Sequence, residues 1–268
     1  MIALIESGIL IISSLIASYT DAKTGYIYDW LTLPLIFIGL IISIFIGLTQ
    51  NNWFNLVSGI LIFIFLLITY KLGKIGGGDV KLFTAIALLN PFNNIYFLIS
   101  IFFISAISAL VFYSTYYFIK CVKIGFDFEK NKKGIFNGLI IIIFFIVYSY
   151  INLQFGIIKF NTLCFFGIIF IFGIIYLIIQ EQIKDNFFEV KVKLKDLEED
   201  EIVGEKNNKK IKKLLYGKIL IGEKELKLLR TNKISQIYVL RNLPKFGPFI
   251  CIGVTLAIVF PEFIKFLW

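Results

Sequence analysis

Long apolar runs follow one another along this chain, and their length limits what it can fold into. They fall at 2–19, 31–48, 53–70, 95–119, 135–150, 160–179 and 249–267, with a shorter one at 79–89. About 20 residues of helix cross the roughly 30 Å of a bilayer's hydrocarbon core. Strands of a membrane barrel would instead show alternating segments of about ten residues. The mean hydropathy of +0.86 lies outside the range of soluble domains. The pattern predicts an all-α polytopic membrane protein of about eight membrane helices, one of them short. The first run has no basic flank before it and no small-residue cleavage pattern after it, so it reads as a retained span rather than a removable signal peptide.

Lysines orient the stack. The loops 20–30, 71–78 and 120–133 hold Lys23, Lys71, Lys74, Lys120, Lys123, Lys130, Lys132 and Lys133, whereas 49–52 and 90–94 hold no basic residue and 151–160 only Lys159. Positive charge marks the cytoplasmic side. The expectation is a multi-pass protein of the cell membrane with both termini outside.

Composition changes abruptly between residues 180 and 246, where 16 of the 27 basic residues and 11 of the 18 acids lie. The run EVKVKLK from Glu189 alternates with period two, a strand signature. GEKELKLL from Gly222 reads as a short amphipathic helix, and Asn207-Asn208-Lys209-Lys210 as a mobile loop. This predicts a membrane domain over 1–180, a small mixed α/β cytoplasmic domain over 181–246, and a last membrane helix over 247–268. The basic excess of the inserted domain suits a solvated surface or anionic lipid head groups.

Histidine is absent, which removes serine or cysteine triads with a histidine base and most zinc hydrolase sites. Cys121, Cys164 and Cys251 show neither pairing nor ligand spacing and read as apolar filler. Acid–base chemistry then falls to carboxylates, lysine or tyrosine. Outside the inserted domain the acids are Glu6, Asp21, Asp29, Asp79, Asp127, Glu129 and Glu262. Asp127 and Glu129 sit among lysines as solvated partners, and interfacial placement accounts for Glu6 and Glu262. Asp29, just before the second span, reads as its N-cap. Asp21, after the first span, and Asp79, opening the short segment, remain at one membrane face, where a retained acid is costly unless it has a function or a partner.

Asp79 follows Gly76-Gly77-Gly78 in KIGGGDVK. The glycines can adopt backbone conformations closed to other residues and leave no side chain in the way of an incoming backbone. The lysine-serine or lysine-threonine ending of a phosphate loop is missing, and no strand precedes the run. Taken singly, Asp79 reads rather as an N-cap and Asp21 rather as a loop acid. Together they form a carboxylate pair able to share one proton about a water, the arrangement of an aspartyl protease.

At these residues the chain resembles the GxGD membrane aspartyl proteases, specifically prepilin peptidases and archaeal preflagellin peptidases. Gly76-Gly77-Gly78-Asp79-Val80-Lys81 resembles the GxGD-x-K signature, and Asp21-Ala22-Lys23-Thr24-Gly25-Tyr26-Ile27 the first-aspartate motif. Pro244-Lys245-Phe246-Gly247-Pro248-Phe249 resembles the proline turn before the family's last helix. Tyr28 and Asp29 stand where bacterial members usually have proline and asparagine, and their cysteine-rich methylation region has no counterpart, so the chain looks more like the archaeal members. The resemblance implies Asp21 and Asp79 as catalytic residues. Gly76, Gly77, Gly78, Lys81, Pro244, Gly247 and Pro248 would border an extended substrate. The implied activity is removal of short basic signal peptides from prepilin-like or preflagellin-like proteins of type IV pili or the archaellum, at the cytoplasmic membrane face. The bilayer is then a partner; no nucleic acid, metal or cofactor is implied. A non-enzymatic assembly scaffold and an ion-coupled transporter are the alternatives, although the second glycine break of an inverted repeat is not found.

Overall fold

The computed structural model describes residues 2–73, 75–156, 159–197, 201–215, 220–232, 234–241 and 243–261. In chain order the elements are α1 (Ile2–Thr24), α2 (Asp29–Gln50), α3 (Phe54–Lys71), α4 (Gly77–Leu88), α5 (Ile95–Ile124), α6 (Phe128–Phe155) and α7 (Phe160–Ile183). These are followed by β1 (Glu189–Lys193), β2 (Glu201–Val203), α8 (Lys209–Leu214), β3 (Leu220–Ile221), α9 (Glu223–Thr231), β4 (Gln236–Leu240) and α10 (Gly247–Val259). Among the described residues, α1, α2, α3, α5, α6 and the stretch Thr162–Phe188 are long and apolar enough to cross a membrane. Residues such as Phe37, Phe45, Phe65 and Phe144 on these helices are more than half exposed, an outer surface suited to lipid rather than water. The expected short segment is α4, of 12 residues. The last expected span is helical to Val259; residues 262–268, and with them Glu262, lie outside the described residues.

Helix ends differ from the sequence expectation because particular residues place them. α1 continues through Asp21 to Thr24 and stops at Gly25, whose φ of +80° needs glycine and whose N–H donates to the Asp21 carbonyl at 2.8 Å. The expected loop 120–133 shrinks to a few residues. Asp127 caps α6, its Oδ1 accepting the Lys130 N–H at 3.1 Å. Asp29 is not a cap: Tyr28 holds the N-cap position of α2, and Asp29 opens the helix with its carboxylate paired to Lys81 Nζ at 2.5 Å.

The chain forms two compact units, Met1–Ala109 with Lys245–Trp268, and Leu110–Pro244. In the first, α4 is buried from Val80 onward, save the partly exposed Lys81, and packs against α2 and α3. Small residues allow this approach. A Cβ on Gly39 would lie 2.7 Å from Leu88 Cβ, and one on Gly59 2.5 Å from Leu88 Cδ2. The carbonyls at the end of α4 are satisfied by side chains, Ser43 Oγ donating to Leu88 O at 2.7 Å and Asn55 Nδ2 to Asn90 O at 2.8 Å. Unsatisfied backbone groups are not tolerated in hydrocarbon. α1 packs against α10.

In the second unit α6 lies on α7, with Gly134 against the Leu177 carbonyl. The sheet is antiparallel in the order β1-β4-β2-β3. Val192, Ile221, Leu226, Leu229, Ile237 and Val239 form its core. The predicted strand and amphipathic helix are β1 and α9. The expected mobile loop is instead anchored: Asn207 is buried, its Nδ2 donating to Gly204 O and Tyr238 O and its Oδ1 accepting the Tyr238 N–H, and Lys209 and Lys210 open α8.

Candidate active site

Asp21, Asp79, Gly76, Gly77, Gly78, Lys81, Gly247 and Pro248 all lie in the first unit, whereas Pro244 ends the second. Asp21 occupies the last turn of α1 and is 6% exposed. Its Oδ2 accepts the Gly247 N–H at 2.7 Å, and the backbone of Phe246 adds a hydrogen bond. Phe246 is the N-cap of α10, with Gly247 and Pro248 opening the helix. The carboxylate therefore rests on the free amides at a helix start, where the dipole favours negative charge. Lys245 lies beside it, its Nζ donating to Ala22 O at 2.7 Å and its charge acting on Asp21.

Asp79 is in the first turn of α4, partly buried, three residues beyond the N-cap Gly76. Its carboxylate reaches back to the Gly76 N–H, as in half of a capping box. Asp21 is a charged group that acts on it. Each aspartate thus sits on the amides that open a short buried helix, Asp21 on α10 and Asp79 on α4.

The glycines serve close approach rather than unusual backbone. Gly76 has φ −72° and ψ 147°, and none of Gly76, Gly77 and Gly78 has a positive φ, contrary to the conformational reading of the sequence. A Cβ on Gly78 would lie 2.8 Å from Ile27 Cβ and 3.0 Å from Ile27 O. On Gly76 it would lie 3.2 Å from Asp79 Oδ2, whereas on Gly77 its nearest neighbour is Tyr70 Cε2 at an ordinary 3.5 Å. A Cβ on Gly247 would meet Asp21 Cβ at 2.8 Å and Oδ2 at 2.9 Å. Lys81 reaches Asp29, as described, and Pro244 stands in the partly buried segment before α10. Lys74 lies outside the described residues. Sequence reasoning assigned no role to Lys245, although it stands inside the quoted proline turn, or to Ile27, six residues after Asp21. It also placed Glu6 at an interface, and Glu6 is instead 1% exposed.

A multi-pass helical protein built around a pair of aspartates on helix N-termini is the class that fold and site define. Residues 8–114 match the type IV leader peptidase family. A curated relative, "Prepilin peptidase EppA" of Methanothermobacter thermautotrophicus, is 35% identical over 97 residues, 35% of this chain and 25% of that protein. The segment 8–114, which carries Asp21 and Asp79, is thus similar to the type IV leader peptidase family and to a prepilin peptidase. The chain spans about a quarter of the length of the curated relative it matches. No solved structure matches it.

Proposed function

We propose that this chain is a membrane aspartyl endopeptidase that removes the short basic signal peptide of prepilin-like or preflagellin-like proteins at the cytoplasmic membrane face. The observation that carries the reading is the meeting of Asp21 and Asp79, 58 positions apart in sequence, in one unit, with Asp21's charge acting on Asp79. The lysine distribution supports the cytoplasmic face, with both termini outside.

In the mechanism one aspartate, as carboxylate, takes a proton from water. The other, as acid, polarises the scissile carbonyl and then helps protonate the leaving amine. Gly76, Gly77 and Gly78 with Gly247 and Pro248 border the extended substrate, whose backbone pairs in strand fashion. Lys81 stays with Asp29 and steadies the start of α4 against α2. Because turnover needs one carboxyl protonated and one ionised, the pH profile is bell-shaped, with apparent constants that belong to the pair.

The test is cleavage of candidate prepilins and preflagellins by membranes carrying wild type, Asp21→Asn, Asp79→Asn or both changes. Each single variant is expected to be nearly inactive and the double variant little worse, since members of one catalytic unit are strongly non-additive. Cleavage near the wild-type rate by either single variant would refute the assignment and favour an assembly scaffold.

A further inference from the structure

The two aspartates are not supported alike. Asp21 Oδ2 accepts the Gly247 N–H at 2.7 Å, and the Phe246 backbone adds a second hydrogen bond. The charge of Lys245 acts on the same carboxylate. Lys245 is tied in place, its Nζ donating at 2.7 Å to Ala22 O, one of the carbonyls that the end of α1 leaves without a helical partner. Asp79 has one amide, that of Gly76, and the charge acting on it is Asp21, of its own sign. Other charged groups nearby are engaged elsewhere. On α1, Lys23 lies over the Tyr19 ring at 5.7 Å; on α4, Lys81 pairs with Asp29 of α2. Tyr70 of α3 stands beside Gly77. α10 carries no charged residue, and its ionisable Cys251 accepts from Ser14 Oγ at 3.7 Å.

Two carboxyls that share one proton place it on the member whose anion is held less well. Two amides and a cation hold the anion of Asp21, whereas one amide and an opposing anion face Asp79. We infer that Lys245 is a positioning residue for the peptidase reaction proposed above, on which this assignment rests: it keeps Asp21 as the carboxylate that takes a proton from water and leaves the shared proton on Asp79, the acid. The water oxygen bonds to the scissile carbonyl carbon as Asp21 takes one of its protons, and Asp79 hydrogen-bonds the oxyanion that forms. Asp79 then gives its proton to the amide nitrogen as the C–N bond breaks and the carbonyl reforms. The proton on Asp21 passes to Asp79 across the pair, which restores the starting state. A lysine that only tied Ala22 O would hold the end of α1 and leave the choice of base untouched.

The test uses the full chain in lipid nanodiscs as wild type, Lys245→Met, Lys245→Gln, Lys245→Arg and Lys23→Met. Infrared difference spectra follow the carbonyl band of the protonated Asp21 carboxyl, assigned by its loss in Asp21→Asn. A prepilin that wild type cleaves supplies the pH profile of kcat/KM. Without the cation a more alkaline solution is needed to ionise Asp21. In Lys245→Met the band should therefore persist to higher pH, and cleavage on the acid limb should fall about tenfold, with the basic limb moving less. Lys245→Arg should restore both, and Lys23→Met should change neither. Lys245→Gln keeps a donor for Ala22 O without the charge; it should behave as Lys245→Met and decides if that variant does not fold. The role is overturned if removing the charge leaves band and acid limb as in wild type, if the basic limb moves more, if arginine does not rescue, or if Lys23→Met shifts them equally. Failure of the peptidase reading would show separately, as undiminished cleavage by Asp21→Asn and Asp79→Asn, and the infrared arm, which needs no substrate, would still decide the role of Lys245.

Discussion

The two ends of α1 treat a buried acid in opposite ways. At one end Asp21 is 6% exposed and accepts backbone N–H groups from the start of α10, with Lys245 alongside. At the other end Glu6 is 1% exposed and has no hydrogen-bond partner among the described residues. The helix, the depth of burial and the chemistry of the group are nearly the same. The difference lies in what the neighbouring element presents: the start of α10 offers amides to Asp21, whereas Glu6 is offered no donor among the described residues. Burial alone therefore does not say what an acid is for, and the surrounding donors do.

The largest effect should come from removing the charge that the amides hold. Asp21→Asn and Asp79→Asn should each lower cleavage by about 10²–10⁴-fold, the range supplied by a positioned acid or base. Next comes a change that keeps the acid and moves its support. Gly247→Ala puts a methyl 2.8 Å from Asp21 Cβ, so either α10 or the carboxylate must shift. A displacement of about 1 Å can cost 10²-fold in turnover. The loss should appear mainly in kcat, because substrate contacts elsewhere are unchanged. Normal kcat in Gly247→Ala would show that Asp21 does not depend on α10.

The glycines before Asp79 give a graded series in which only contact distance changes. Gly78→Ala drives a methyl into Ile27 and should destabilise by about 1–3 kcal/mol, as overpacking does. Gly76→Ala, at 3.2 Å from Asp79 Oδ2, should fall between the others, lowering turnover more than stability. Gly77→Ala meets only Tyr70 at ordinary distance and should gain about 0.4–1 kcal/mol, because alanine leaves the unfolded chain fewer conformations to lose. Thermal unfolding and cleavage of the three variants check the order. Equal behaviour at Gly77 and Gly78 would mean that backbone freedom, not packing against Ile27, explains the run.

What could be read in the sequence follows from which interactions are local. The helices show as apolar runs because hydrocarbon demands length, and β1 and α9 show as periods of two and of 3.6. Asp21 and Asp79 stand out because few acids remain outside the charged insert. The helix ends were not legible, since Gly25 and Asp127 set them through a left-handed residue and a side-chain cap rather than through polarity. Asn207 read as loop because its anchor, the backbone of Tyr238, is 31 positions away. Glu6 read as interfacial because depth depends on which helix face meets a neighbour, and composition carries no record of that. The tight packing at Gly78 was not legible for the same reason: Ile27, which a Cβ there would meet, is distant in sequence.

A third acid completes the comparison and carries the smallest effect. Asp29 has a partner, Lys81, but both side chains are wet, 58% and 33% exposed. Water screens such a pair and the side chains lose entropy in forming it, so it contributes about 0.2–1 kcal/mol. Asp29→Ala should therefore lower the unfolding midpoint slightly and leave cleavage measurable, and added salt should narrow the gap to wild type. Lys81→Met should match it, and the double variant should fall little below either single one, because each change removes the same pair. If Asp29→Ala abolished turnover in folded protein, Asp29 would join the catalytic set. A partner would then matter at a wet site as much as at a dry one, and the contrast between the two ends of α1 would no longer explain which acids do chemistry.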